Sequence, residues 1–145
     1  MTKRNLFLLG VLILAQLVYA GNWDDTKAQA KQENKLILLK FSGSDWCGPC
    51  IQLQKVIFDD PMFEQFAHEK LVLFKADFPR QKKNQLPKEQ QAINDQLAET
   101  YNPEGEFPCM VLIDAQGNTL RKWHGYDKKH TVQDYMADIN AFINK

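Results

Sequence analysis

A pair of cysteines separated by two residues, placed where an apolar run gives way to a helix, most constrains the fold of this chain. The motif consists of Trp46, Cys47, Gly48, Pro49 and Cys50. It follows the apolar run at 36–39, which has the length and composition of a buried strand. Two thiols at this spacing can close a disulfide and reopen it by exchange, and they could also form part of a metal site. Disulfide exchange is favoured over a metal site for three reasons. Glycine and proline lie between the cysteines, a tryptophan precedes them, and no second pair of ligands has matching spacing.

The two cysteines are expected to have different chemical roles. Pro49 suits the first turn of a helix because its ring presets φ and its missing N–H needs no partner there, so Cys47 should lie at or just before the helix start. Unpaired backbone N–H groups and the helix dipole then stabilise an exposed Cys47 thiolate and lower the pKa of this thiol. Cys47 is therefore predicted to attack. Cys50, buried one turn further along, is predicted to resolve the mixed disulfide, and no cofactor is needed.

The first 20 residues are predicted to be a secretory signal peptide, which leaves residues 21–145 as one domain. Two cations precede the apolar run Leu6–Val18. Val18 and Ala20 occupy the −3 and −1 positions of a cut before Gly21, and signal peptidase sites accept such residues at these positions. A membrane anchor is the alternative, but this run is shorter than the ~20 residues that span a bilayer and contains Gln16. We therefore expect a periplasmic or secreted domain with no stable membrane insertion.

Charge and cysteine content argue against two other classes of protein, nucleic-acid-binding proteins and disulfide-stapled scaffolds. Residues 21–145 carry a net charge near −2, whereas a nucleic-acid surface needs a strong cationic excess. Three cysteines can close at most one internal pair, so a disulfide-stapled scaffold is not expected. With 44% apolar residues, the chain can bury a single core.

Helix and strand signals alternate along the chain. Helices are predicted over Asp24–Asn34, from the motif to near Asp59, and over Met62–His68, Lys88–Tyr101 and Thr131–Ile143. The helix after the motif presents an apolar stripe of Ile51, Leu53, Val56 and Ile57. Strands are predicted over Leu36–Phe41, Leu71–Asp77, Cys109–Ile113 and Thr119–Trp123, the last two forming a hairpin, with a loop over Phe78–Pro87.

This order of elements resembles the thioredoxin fold, an α/β fold with a central mixed β-sheet flanked by helices. The resemblance rests on the WCGPC motif and on Phe107 and Pro108, which match the cis-proline site of the family. It implies that Pro108 is cis and packs against the disulfide, and that the backbone of Phe107 pairs with the substrate chain. It also implies that Trp46 shapes an apolar docking surface around Cys47.

Two further segments resemble a secreted bacterial group within the thioredoxin superfamily. They are Phe41–Trp46, before the cysteines, and Ala76–Arg80, after the next strand. This similarity implies a periplasmic setting, with disulfide-containing secreted proteins as substrates. Because the chain lacks a nucleotide-binding signature, we expect an upstream thiol electron donor, such as a membrane-bound reductase.

The chain departs from the family pattern at Lys40 and Phe107. The buried acidic residue that thioredoxins keep beneath the resolving cysteine falls on Lys40 here, so their proton relay is not expected. The favoured interpretation is that the Lys40 stem runs along apolar surface and its ammonium group points outward. The alternative is a cation that acidifies nearby thiols. Phe107 is bulkier than the residue often found there, which could narrow substrate choice.

Cys109 and the histidines are interpreted as structural or surface residues. Cys109 is expected to be a buried strand residue that behaves as a small hydrophobe, and the alternative is a third thiol that can be glutathionylated or trap a partner. His68, His124 and His130 lack metal-ligand spacing and are interpreted as surface residues.

The remaining aromatic and basic residues are predicted to have structural or surface roles. Core packing accounts best for Trp23, Trp123, Phe63 and Phe66. The cations Arg80, Lys82, Lys83 and Lys88 are interpreted as a solvated turn, with docking of acidic partners as the alternative.

The sequence therefore favours a thiol-disulfide oxidoreductase, and Gly-Pro between the cysteines resembles the reducing members of the family. A disulfide oxidase or isomerase is the first alternative. Copper handling by Cys47 and Cys50 is the second, with Cys109 or Met110 as a possible third ligand. The third alternative is a binding module that kept the fold and contacts other proteins through its hydrophobic face, with cysteines that no longer react.

Overall fold

The computed structural model describes residues 22–143. The predicted signal peptide, residues 1–20, lies outside the described residues and stays a prediction. Within residues 22–143, no helix combines the length and apolar character needed to cross a membrane.

Helices and strands follow the predicted order. The helices of residues 22–143 are α1 Trp23–Glu33, α2 Gly48–Leu53, α3 Pro61–Lys70, α4 Lys88–Tyr101 and α5 Val132–Ile143. The strands of the same range are β1 Leu36–Ser42, β2 Leu71–Asp77, β3 Cys109–Ile113 and β4 Thr119–His124. The helix predicted from the motif to near Asp59 is present as α2 and a π-helical turn over Gln54–Phe58 that continues it. A short 3₁₀ turn over Lys82–Asn84, inside the predicted loop, was not predicted.

The strands form a mixed sheet in the order β2-β1-β3-β4. β1 runs parallel to β2 and antiparallel to β3, and β3 runs antiparallel to β4. Phe41, near the end of β1, pairs with Ala76 on one side and with Cys109 on the other. The ends of β1 and β2 and the start of β3 therefore meet at one edge of the sheet. The motif loop, the 78–87 loop and the Phe107–Pro108 segment all begin or end at this edge.

Alternate residues of each strand face two separate cores. On one face, Leu38 and Met110 pack with side chains of the π-helical turn, α3 and α5. On the other face, Ile37 and Cys109 pack with side chains of α1 and α4. The helices thus flank the sheet on both sides, and the predicted thioredoxin-like α/β architecture is confirmed.

The predicted apolar stripe after the motif is only half correct. Leu53 and Ile57 are buried, whereas Ile51 and Val56 are 49% and 50% exposed. Residues four apart share a helix face, but Ile51 lies only two residues from Leu53 and so projects from nearly the opposite side.

Candidate active site

Cys47 and Cys50 form a disulfide at the amino end of α2. Cys47 occupies the N-cap position, and its Sγ accepts a hydrogen bond from the backbone N–H of Cys50 at 3.3 Å. Pro49 lies in the first turn of the helix. The predicted placement of the pair at the start of a helix is confirmed.

The expected exposure of Cys47 is wrong for this disulfide-bonded state. The residue is 4% exposed, and Cys50 is 2% exposed. The disulfide joins the Cys47 sulfur to that of Cys50, which is a buried residue of α2 itself. Gly48 and Pro49, between them, remain exposed.

Three aromatic side chains gather beside the disulfide. The half-buried Trp46 donates a hydrogen bond from Nε1 to the carbonyl oxygen of Phe78 at 2.7 Å. The Phe107 ring lies edge-on to both Trp46 and Phe78, with ring centroids 5.4 Å apart in each pair. Trp46 and Phe107 thus contact each other as parts of one surface, while Phe78 was not predicted as a site residue.

The peptide bond between Phe107 and Pro108 is cis, as the resemblance implied. Pro108 is buried and directly precedes β3, and its carbonyl oxygen accepts a hydrogen bond from the Gly125 N–H at 2.9 Å. β3 and the end of β4 thereby fix the position of the Phe107 backbone at the edge of the sheet where the motif loop lies.

Asp45 and Asp77 hold the loops around the cysteines, and sequence reasoning missed both. Asp77, at the end of β2, accepts hydrogen bonds from the backbone N–H and the hydroxyl of Ser44 at 3.0 and 2.5 Å. Asp45 accepts from the backbone N–H groups of Arg80 and Gln81, each at 2.9 Å. These bonds, that from the Arg80 N–H foremost, hold the pKa of the Asp45 carboxyl below its ordinary value. Asp45 lies before the motif and Asp77 at a strand end, and both lie in the two segments that resemble the secreted bacterial group.

Lys40 does not point outward, so the favoured interpretation of this residue is wrong. It is 5% exposed, its Nζ donates to Oε1 of Gln54, and the ammonium group lies 3.8 Å from the Phe58 ring centroid. Lys40 shares a strand face with Leu38, and that face is covered by α2 and the π-helical turn. Burial disfavours the charged form and lowers the pKa of Lys40 to about 8.

Cys109 lies on the opposite side of the sheet from the core that contains Leu53 of α2. It is fully buried among Ile37, Val111 and their neighbours. Burial raises the pKa of the Cys109 thiol to about 11. The interpretation as a small buried hydrophobe is confirmed.

The aromatic residues that were predicted to pack in the core, and the histidines, lie away from the disulfide in sequence and have structural or surface positions. Phe63, Phe66 and Trp123 are buried in one core, and the partly buried Trp23 packs against the other. His68 and His124 are exposed, and His130 is partly buried with Nε2 3.2 Å from Oδ2 of Asp138. In the described part of the chain, no group of three or more His, Cys, Asp or Glu side chains is arranged to hold a metal ion.

Comparisons with known proteins point in one direction. A family model described as a thioredoxin-like domain matches residues 23–140. Over 93 residues, the chain is 42% identical to the disulfide bond reductase DsbH of Chlamydia pneumoniae, an alignment that covers 64% of this chain and 54% of that protein. The chain therefore matches about half the length of this relative.

Solved structures agree on the fold. The structure of a DsbH oxidoreductase superposes with a TM-score of 0.76 at 29% identity, covering 98% of this chain and 95% of that one. A disulphide isomerase from Xylella fastidiosa Temecula1 superposes with a TM-score of 0.62, covering 89% and 98% of the two chains. At 19% identity, this second likeness concerns the fold alone.

Proposed function

The chain belongs to the thioredoxin-like domain family, and on that premise we propose that it is a thiol-disulfide oxidoreductase that reduces disulfides in secreted or periplasmic proteins. One observation carries this proposal: Cys47 and Cys50 are disulfide-bonded at the amino end of a helix, with the Cys50 N–H donating to the Cys47 sulfur. The name of the similar Chlamydia pneumoniae protein, a disulfide bond reductase, supports the direction of the reaction.

The reaction needs only the two thiols and the substrate disulfide. The Cys47 thiolate attacks one substrate sulfur, an S–S bond to Cys47 forms, and the substrate S–S bond breaks to release a thiolate that takes up a proton. Cys50 then loses its proton and attacks the Cys47 sulfur, which releases the second substrate thiol. Two electrons and two protons pass to the substrate, and the Cys47–Cys50 disulfide is left behind.

The surroundings of Cys47 suit the first step. In the disulfide-bonded protein, the Cys50 N–H donates to the Cys47 sulfur. After reduction, we expect the same donor and the helix dipole of α2 and its continuation to stabilise the Cys47 thiolate. Trp46 and Phe107 supply the apolar surface against which a substrate segment docks. Pro108 fixes the adjacent backbone, so that Phe107 can pair with the substrate chain.

The oxidised protein must regain two electrons after each cycle. We assign this role to an upstream dithiol donor, such as a membrane-bound reductase, because only thiol exchange restores the Cys47–Cys50 pair without a cofactor. A periplasmic or secreted location rests on the signal peptide predicted for residues 1–20.

The direction of the reaction is tested by the reduction potential of the pair. A reductase is expected near the value of thioredoxin, about −270 mV, whereas about −180 mV is typical of an isomerase and about −120 mV of a strong oxidase. Equilibration of the full chain with glutathione or dithiothreitol buffers gives this value. A potential above about −200 mV would assign the protein to the isomerases or oxidases.

The substrates are tested by trapping. In Cys50→Ala, Cys47 can attack but the mixed disulfide cannot be resolved, so client proteins should remain attached through Cys47 and be released by dithiothreitol. The matched control is the double variant Cys47→Ser with Cys50→Ala, which should trap nothing. If the control traps the same proteins, Cys47 is not the attacking thiol.

A further inference from the structure

An open cleft of about 520 Å³ lies beside the aromatic surface of the active site. Its lining includes three aromatic side chains, those of Trp46, Phe78 and Phe107. The lining also includes the polar side chains of Arg80, Gln85 and Gln91. Because Trp46 directly precedes Cys47 and Phe107 directly precedes Pro108, the cleft adjoins the place where a substrate cysteine must meet Cys47.

Arg80 presents a fixed and accessible positive charge in this cleft. Its guanidinium carbon lies 3.7 Å from the Trp46 ring centroid, and the residue is exposed. Within residues 22–143, no carboxylate lies within ion-pair distance of this guanidinium. Stacking fixes the plane of a guanidinium but leaves its N–H donors free to bind a carboxylate at the edge.

The carboxylates near the cleft contact other groups instead of the Arg80 guanidinium. Asp45 uses its two oxygens on the backbone N–H groups of Arg80 and Gln81. Glu104 and Glu106, the sequence neighbours of the cleft residue Gly105, contact Lys122 and His124, each at 2.5 Å. The Asp45 bonds therefore hold the loop in place without pairing with the guanidinium.

The loop that carries Arg80 is positive along its length. Residues 78–88 contain four cations and no acidic residue. Besides Arg80, these are Lys82, Lys83 and Lys88, and all are exposed. This positive rim favours approach of an anionic partner.

We propose that the cleft selects substrates with an aspartate or glutamate within a few residues of the reactive cysteine, and that Arg80 pairs with this carboxylate while Trp46 and Phe107 contact the adjoining apolar atoms. The occupant is thus an acidic segment of a disulfide-containing protein. The inference rests on the proposed function, since it names the substrate class of the same site.

Binding without chemistry tests the proposal directly. The full chain with Cys47→Ser and Cys50→Ser is titrated with two disulfide-closed peptides that differ only in having glutamates or glutamines beside the cysteines. An exposed or partly exposed ion pair predicts about threefold to fivefold tighter binding of the glutamate peptide at low salt. Added salt should reduce this preference because it screens the pair.

Two variants in the same thiol-free background locate the effect. Arg80→Gln should abolish the preference, and the matched control Lys83→Gln, on the same loop, should keep it. Equal binding of the two peptides to the thiol-free protein, or a preference that survives in Arg80→Gln, would overturn the proposal.

Kinetics then separate this inference from the proposed function. The reduced native chain should reduce the glutamate peptide with a kcat/KM about threefold to fivefold higher than that for the glutamine peptide. Reduction of both peptides at one rate, together with equal binding, overturns the acidic selectivity and leaves the oxidoreductase in place. Preferential binding with no reduction of either peptide supports the cleft and overturns the oxidoreductase.

Discussion

The indole of Trp46 donates its only N–H to the backbone carbonyl oxygen of Phe78, at 2.7 Å. This hydrogen bond connects the residue before Cys47 to the residue after β2, 32 positions away along the chain. The Trp46 ring also packs against Phe107, next to the cis-proline. One side chain therefore joins the three segments that surround the cysteines.

Replacing Gly43 should destabilise the protein because the Trp46 ring lies directly over Gly43. A Cβ added at Gly43 would lie 2.2 Å from Cε2 of Trp46, so Gly43→Ala must displace the indole. We expect a loss of about 1–3 kcal/mol in the free energy of unfolding, as in other overpacked sites, and a shift of the Trp46 Nε1–H resonance. Denaturant unfolding and NMR measure these two changes.

Gly48→Ala is the matched control, since a Cβ at Gly48 has nothing within 4 Å. Gly48→Ala should leave both the stability and the Trp46 resonance close to native. Equal effects of the two substitutions would show that contact with Trp46 is not what requires glycine at position 43.

Asp45 should control the order of the 78–87 loop. Asp45→Ala removes the acceptors of the Arg80 and Gln81 N–H groups, so their hydrogen exchange should become at least about tenfold faster. Amides of β3 should keep their native exchange rates and serve as the internal reference. Unchanged exchange at Arg80 and Gln81 would contradict a holding role for Asp45.

Acid should have the same effect as this substitution, but only at low pH. The pKa of Asp45 is lowered in the folded protein, mainly by the Arg80 N–H, so the ionised carboxylate holds the loop above the ordinary pKa of 3.8. The contribution is lost as the pH falls through the lower folded value. The Gln81 amide resonance should therefore titrate below pH 3.8; a midpoint above it would contradict the assignment.

Lys40 should make stability rise in mild alkali. Its pKa is about 8 in the folded chain and near the ordinary 10.5 when unfolded, so between these values the unfolded state binds more protons. The free energy of unfolding should increase with pH across this window, by up to about 3 kcal/mol relative to Lys40→Met. Urea unfolding of the two proteins from pH 7 to 10.5 measures the difference.

Lys75→Met is the matched control, because Lys75 is the cross-strand partner of Lys40 but has a half-exposed side chain. The alkaline rise should persist in Lys75→Met, moved to slightly higher pH because Lys75 contributes to lowering the pKa of Lys40. If the alkaline rise in stability is lost in Lys75→Met and kept in Lys40→Met, the rise comes from Lys75, and the assignment to Lys40 is wrong.

Cys109 should be chemically silent in the folded protein. It is fully buried, and burial raises the pKa of its thiol to about 11. Iodoacetamide at pH 8 should therefore modify Cys47 of the reduced chain and leave Cys109 unmodified until urea is added. Mass spectrometry that finds modified Cys109 in the native chain would restore the alternative of a third reactive thiol.

Local sequence signals predicted the fold and the redox pair well. The Cys-Gly-Pro-Cys spacing and the preceding apolar run located the pair at a strand-to-helix junction, because helix N-termini impose their own residue preferences. The cis state of Pro108 followed from the family resemblance. Helix ends differed by one or two residues, as at α3, which begins at Pro61 with Asp60 as its N-cap.

Contacts between distant segments were beyond such signals. The ammonium group of Lys40 was expected to point outward because lysine stems readily run along apolar surface. Its position on β1 instead places it under the π-helical turn, where Gln54 accepts its hydrogen bond. Asp45 and Phe78 acquire their roles only when the 78–87 loop folds back over the motif. Local sequence spacing does not identify such partners, which lie 14 positions apart for Lys40 and Gln54 and 35 apart for Asp45 and Arg80.

Reduction of insulin in the presence of dithiothreitol tests the central claim most directly. The native chain should accelerate precipitation of the insulin B chain. Cys109→Ala, which keeps the redox pair, should do the same, and Cys47→Ser should show only the uncatalysed rate. A Cys47→Ser protein as active as the native chain would contradict the account, because the attacking sulfur would then lie elsewhere.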